Sequence, residues 1–93
     1  MNIEHKYLIH MGFVLRNKSE YEYCFRYSFD DSNYTDIHYH IDEDYYTLNY
    51  VEIGYNFIKL INDLLFDFHM GFSQESFKLF KRSETINKIL NNG

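Results

Sequence analysis

The run Asp36-Ile37-His38-Tyr39-His40-Ile41-Asp42 holds the residue types that a transition-metal site would use. On a strand, residues two apart share a face, so Asp36, His38, His40 and Asp42 would point the same way. An H-x-H pair beside carboxylates is a donor set that zinc or iron accepts. The same alternation has a plainer reading. Ile37, Tyr39 and Ile41 form an apolar face, which makes His38 and His40 the outward residues of a half-solvated sheet. On that reading neither histidine is catalytic, no metal or cofactor is expected, and added zinc leaves the melting temperature unchanged.

The spacing His38-x-His40-x-Asp42 superficially resembles the H-x-H-x-D-H run of metallo-β-lactamase-type hydrolases. Glu43 stands where the final histidine would be, and 93 residues are too few for that fold, so the activity is not carried over. Cys24 is the single cysteine, which excludes an internal disulfide and a four-cysteine zinc site. It lies on the polar side of an alternating segment. A nucleophile needs a base within hydrogen-bond reach and an oxyanion donor, and no local motif supplies either. Cys24 is therefore read as a surface or half-buried thiol. The four glycines, at 12, 54, 71 and 93, are too far apart for a phosphate loop. Lys78, Lys81 and Arg82, interleaved with Phe77 and Phe80, are too few for phosphate tracking.

Charge is distributed unevenly. The chain carries nine Lys and Arg against fourteen Asp and Glu, a net charge of −5, which argues against direct binding to nucleic acid or anionic lipid. Residues 27–58 hold Asp30, Asp31, Asp36, Asp42, Glu43, Asp44 and Glu52 with no Lys or Arg. The same stretch is rich in tyrosine, including Tyr45 and Tyr46. Carboxylates attract a basic partner at long range, and tyrosine rings add rigid contact area and a hydroxyl. The bland alternative is a solvated face of an acidic protein.

These residues need elements to hold them. Asn2 is a helix cap and Gly12 a helix stop around Ile3, Tyr7, Leu8 and Met11, so a short helix over 2–11 is expected before a strand at 13–16. Alternation over 7–15 leaves a strand as the rival. Tyr21, Tyr23, Phe25, Tyr27 and Phe29 alternate with Glu20, Glu22, Cys24, Arg26 and Ser28, which predicts a strand with one aromatic face. Asp30-Asp31-Ser32-Asn33 is turn chemistry. A second strand follows over 35–41, a turn at Asp42-Glu43-Asp44, and a third strand over 45–50. From Ile53 the period changes to that of a helix ending near Gly71, and Ser73 opens a last helix whose Phe77, Leu79, Phe80, Ile86, Ile89 and Leu90 could cover it. The expectation is one α+β domain over 1–93, with a short N-terminal helix, an antiparallel sheet of about four strands, and two C-terminal helices packed on one face.

No apolar run approaches the ~20 residues needed to span a bilayer, and Glu4, His5, Lys6 and His10 leave no signal core near the start. A cytoplasmic location is expected. Phe, Tyr, Met, Ile, Asn and Lys supply 46 residues and Gly, Ala, Arg and Pro only 7, which points to an AT-rich genome such as a low-GC bacterium, phage or mobile element. The expected function is a non-enzymatic inhibitor that docks Asp30, Asp31, Asp36, Asp42, Glu43, Asp44, Tyr45 and Tyr46 on a basic, nucleic-acid-binding surface of a larger protein, such as a CRISPR–Cas effector. The alternative is a homo-oligomeric, immunity-type or regulatory protein. Ile58, Leu65 and Phe66 broaden the apolar arc of the first C-terminal helix and are the expected contacts of a homodimer.

Overall fold

The computed structural model describes residues 1–48, 54–68 and 72–92, with the backbone alone at 64–68 and 91–92. The chain is α+β and divides into two compact units, Met1–Leu60 and Ile61–Gly93. Helix α1 (Ile3–His10) leads into strands β1 (Val14–Lys18), β2 (Glu22–Ser28), β3 (Tyr34–His40) and β4 (Tyr45–Leu48), followed by helices α2 (Phe57–Phe68) and α3 (Gln74–Asn92). The strands form one antiparallel meander in the order β1-β2-β3-β4.

Local chemistry explains the boundaries. Asn2 Oδ1 accepts the His5 N–H at 2.8 Å, which satisfies one of the open donors at the start of α1. Gly12 then takes φ 110°, and a Cβ there would sit 2.8 Å from the Tyr27 ring, so the reversal into β1 requires glycine. The N-terminal segment is thus helix then strand, and the strand runs further than 13–16 because a β-bulge between Leu15 and Asn17 adds a residue to it. Between β2 and β3, Asp30 Oδ1 accepts the backbone N–H groups of Ser32 and Asn33 and closes the turn. Asp44 takes φ 53° at the end of the β3–β4 turn, a left-handed position that short polar side chains tolerate.

One face of the sheet carries the core of the first unit. His5, Tyr7 and Leu8 of α1 are buried with Phe25, Ile37, Tyr39, Tyr46 and Leu48 of the sheet. Phe57 opens α2 and joins them, its ring 6.3 Å from Tyr7 and 5.4 Å from Tyr46. Asn56 caps that helix through the Lys59 N–H, and Tyr55 exchanges two backbone hydrogen bonds with Tyr46, so the chain returns beside β4 before α2 begins. Each ring fully withdrawn from water contributes about 2–3 kcal/mol, which is how a sheet this small acquires a core from aromatics.

In the second unit Ser73 caps α3, its Oγ accepting the Ser76 N–H at 2.9 Å, as the sequence predicts. Ile61, Phe72 and Phe77 are buried. Leu79, Ile86, Ile89 and Leu90, expected to supply cover for α2, are instead exposed. Of the expected dimer contacts, Ile58 is exposed, and the side chains of Leu65 and Phe66 lie outside the described residues. Residues 49–53 and 69–71, which include Ile53 and Gly71 at the expected ends of the first helix, also lie outside them. No helix among the described residues is long and apolar enough to cross a membrane.

Candidate functional site

The second face of the sheet differs from expectation. It was expected to be solvated, yet Cys24, Asp36, His38 and Thr47 are all buried, Asp36 at 1 % exposure. The register explains how. Cys24 faces His38 across the β2–β3 ladder, Arg26 faces Asp36, and Glu22 faces His40. Long charged neighbours on the same face, Arg26 and Glu22, reach Asp36 and His38. Arg26 grips both oxygens of Asp36, Nε to Oδ1 at 2.7 Å and a terminal nitrogen to Oδ2 at 3.0 Å, and its guanidinium lies 3.7 Å from the Tyr34 ring centroid. This bidentate pairing raises the arginine pKa, chiefly through the hydrogen bonds that the guanidinium donates to the Asp36 carboxylate. Glu22 Oε1 meets His38 Nδ1 from the adjacent rung. His40 stacks on Tyr45 with centroids 4.6 Å apart and reaches Thr47 Oγ1 at 3.3 Å.

The result is a compact trio. One ligand atom each from Cys24, Asp36 and His38 lie within 4.8 Å of one another, and all three residues are buried. They line the floor of a cavity of about 410 Å³ whose wall on the β1 side is Arg16, Asn17 and Lys18. The bulge matters here, because the extra residue in β1 turns Arg16 as well as Asn17 toward this face. Burial, reinforced by the neighbouring Asp36 charge, pushes the Cys24 thiol pKa up. A thiol held protonated is a poor nucleophile, so the trio does not resemble an activated cysteine. Its three donors, a thiol, an imidazole and a carboxylate, are types that a transition metal accepts.

The expected docking residues separate into three groups. Asp30 and Asp31 are exposed at the β2–β3 turn, where Asp30 serves the turn and has its pKa lowered by the Asn33 side-chain amide, then by the backbone N–H groups. Asp42, Glu43 and Asp44 are exposed at the opposite end of β3, about 20 Å away by strand rise. Asp36 and Tyr46 are withdrawn from any surface. Asp36 is locked to Arg26, and Tyr46 is 1 % exposed on the core face with its hydroxyl donating to Glu4 at 2.7 Å. Burial first, then that hydrogen bond, raises the Tyr46 pKa. Tyr45, half-buried, is occupied by His40 and by the close backbone of Gly54.

The fold also brings together residues that are separate in sequence. The Ile41 N–H donates to the Tyr21 carbonyl at 3.0 Å, joining the β1–β2 and β3–β4 turns at one end of the sheet. Glu20, Tyr21, Asp42, Glu43 and Asp44 are all exposed there, Tyr21 at 70 %. Both turns are pinned from within. Ser19 Oγ accepts the N–H groups of Tyr21 and Glu22, and the Tyr39 hydroxyl donates to Asp44 at 2.7 Å, a bond that pushes the Tyr39 pKa up to about 12. Sequence reading missed Glu20 and Tyr21 as partners of this turn. It also missed the trio, because folding the two strands about Asp30–Asn33 sets Cys24 against Tyr39, whereas the observed register pairs Ser28 with Tyr34, takes Phe29 into the turn and so sets Cys24 against His38. No known protein family, curated protein or solved structure matches the chain.

Proposed function

We propose that the chain is a non-enzymatic protein-binding module, an inhibitor of the kind that phages and mobile elements encode, which docks the acidic end of its sheet on a basic groove of a larger nucleic-acid-binding protein. The observation that supports this reading is the exposed Tyr21 ring, set among Glu20, Asp42, Glu43 and Asp44 on two pinned turns. The Tyr21 ring is the most exposed aromatic side chain among the described residues, at 70 %, whereas Tyr39 and Tyr46 of the same sheet are buried. Charge would steer the encounter and the ring would anchor it, with little ordering cost because the turns are already fixed.

The surface is smaller than the sequence predicts and differently composed. Asp30 and Asp31 lie at the far end, Asp36 and Tyr46 lie inside, and Asp44 holds a left-handed turn as well as a charge. The test is surface plasmon resonance against the partner recovered by affinity capture from host lysate, at several salt concentrations. Asp42→Lys with Glu43→Lys slows association and flattens its salt dependence, while Tyr21→Ala speeds dissociation. Unchanged binding by the double Lys variant refutes this reading. A second reading, self-association, is favoured by Leu79, Ile86, Ile89 and Leu90, which α3 exposes at heptad-like spacing. Light scattering decides it: a dimer mass that Ile86→Glu with Ile89→Glu reduces to 11.4 kDa supports pairing through α3.

A further inference from the structure

We infer that the polar face of the sheet is a binding site for one divalent transition-metal ion, zinc by its donor chemistry, with Cys24, Asp36 and His38 as ligands. The inference is independent of the docking surface, which lies at the end of the sheet and shares none of these residues.

Three observations converge. A thiol, an imidazole and a carboxylate present ligand atoms within 4.8 Å of one another on adjacent rungs of one ladder. Ligand atoms around tetrahedral zinc stand about 3.5 Å apart, so closure needs an inward movement of about 1 Å, within reach of side-chain rotation. Next, each oxygen or nitrogen ligand already has the supporting contact that metal ligands usually have. Glu22 holds His38 at Nδ1, which fixes the ring and makes Nε2 its metal-binding nitrogen. Arg26 holds Asp36 through both carboxylate oxygens, which fixes the carboxylate's orientation. Finally, three protein ligands leave a fourth position, and the trio opens on a cavity of about 410 Å³. A site of this type keeps water or an exchangeable ligand there. The Arg16 and Lys18 side of the cavity favours an anion at that position.

The charges balance. With thiolate Cys24, the carboxylates of Asp36 and Glu22, and the Arg26 guanidinium, a dication brings the group to neutrality. The soft sulfur with nitrogen and one carboxylate favours zinc over magnesium or calcium, which prefer oxygen alone. The H-x-H pair itself is not the site. His40 shares the face but is stacked on Tyr45 and directed to Thr47.

Cobalt(II) and zinc titration of the chelator-stripped full chain tests the assignment. The expected result is one equivalent of cobalt with an intense near-ultraviolet thiolate-to-cobalt band and tetrahedral visible bands, both displaced by zinc. Cys24→Ser abolishes the near-ultraviolet band, His38→Gln and Asp36→Asn weaken binding at least tenfold, and Glu22→Gln weakens it about tenfold. His40→Gln leaves affinity and spectrum unchanged. Circular dichroism of each stripped variant separates lost ligands from lost fold. If a variant is unfolded, methylation of the Cys24 thiol in the parent chain, with and without zinc, takes its place, and protection by zinc is expected. The inference is overturned if the parent binds neither ion, if the bands lack sulfur character, if they survive in Cys24→Ser, or if zinc gives no protection.

Discussion

Strand β2 buries two adjacent residues on opposite faces of the sheet by different means. Phe25 lies at 0 % exposure against the His5 ring of α1 and opposite Ile37 of β3, whereas Cys24 lies at 8 % among charged side chains. Each face also buries a histidine. His5 is surrounded by the rings of Tyr23, Phe25, Tyr39 and Tyr46 at 4.6–6.0 Å, and its Nε2 has no hydrogen-bond partner among the described residues. His38 lies against the Glu22 carboxylate. The aromatic face excludes water with apolar area, and it holds its histidine neutral. The polar face excludes water by pairing its charges, and it supplies its histidine with an anion. A strand of alternating residues can therefore be buried on both sides without being apolar on both sides. The difference lies in what each face can do: one stabilises, the other retains ligand chemistry.

The comparison breaks most sharply at Phe25 and Cys24. Phe25→Ala removes a ring from a close-packed site and is expected to cost about 3–5 kcal/mol, enough to lower Tm by more than about 12 °C in a chain of this length. Cys24→Ala removes one sulfur from a face held by electrostatics and is expected to cost about 1 kcal/mol or less. Urea unfolding of both variants in the presence of chelator measures the contrast. Equal losses would mean that the two faces contribute packing alike.

A smaller effect probes the charge pairing itself. Asp36→Leu strands Arg26 beside a buried apolar group and lowers Tm. Arg26→Met combined with Asp36→Leu recovers most of that loss, because an ion pair removed whole takes its desolvation cost with it. Thermal melts of the single and double variants, with the Arg26→Met single to complete the cycle, read the coupling. Additive losses would place the stabilisation of this face in its packing.

Legibility in the sequence follows the same division. Asn2 and Ser73 announced their helices because capping is local chemistry, and period-two alternation through Tyr23, Phe25 and Tyr27 announced the aromatic face. Burial of the polar face was not legible. Cys24, Asp36 and His38 read as outward residues because alternation assigns a face and says nothing about what lies over it. Their cover depends on pairing: Arg26 reaches Asp36 only in the observed register, and Arg16 reaches the cavity only through the bulge. The acidic end was half legible. Asp42 and Glu43 read correctly as an exposed turn, but Glu20 and Tyr21 join them through a backbone bond between residues twenty apart. Tyr46 was misplaced because a run of two tyrosines gives no parity.

Acid sharpens the contrast between the histidines. Burial, then the nearby N-terminal charge, lowers the His5 pKa to about 4 from 6.5. Its surroundings are the rings of Tyr23, Phe25, Tyr39 and Tyr46 with the carboxylates of Glu4 and Asp44 beyond, the latter opposing the shift. Between pH 6.5 and about 4 the unfolded chain binds a proton that the folded chain refuses. The stability held by neutral His5 is complete above pH 6.5 and is lost progressively as pH falls toward 4. His5→Leu removes this component, so the urea midpoint of the variant falls less than that of the parent between pH 7.5 and 4.5. Identical falls would mean that the ring cage does not keep His5 neutral.

The smallest expected effect separates the two acidic turns. Asp30 and Asp42 are both exposed aspartates at turns of the same sheet, yet they have different tasks. Asp30 accepts from the backbone of Ser32 and Asn33 and from the Asn33 amide, so it closes the β2–β3 turn. Its lowered pKa is the counterpart of those bonds: the carboxylate stabilises the fold above its unfolded pKa, and this is lost as pH falls through the folded value. Asp42 and Glu43 stand two residues and one residue before the left-handed Asp44, and the fold is closed there by Asp44 and Tyr39. Asp30→Ala is therefore expected to lower Tm measurably at pH 7. Asp42→Lys with Glu43→Lys is expected to leave it within about 2 °C, as surface substitutions away from structural contacts do. Differential scanning fluorimetry of both variants at low salt makes the comparison. A large loss from the double Lys variant would assign its charges to folding, and their exposure could then no longer be reserved for a partner.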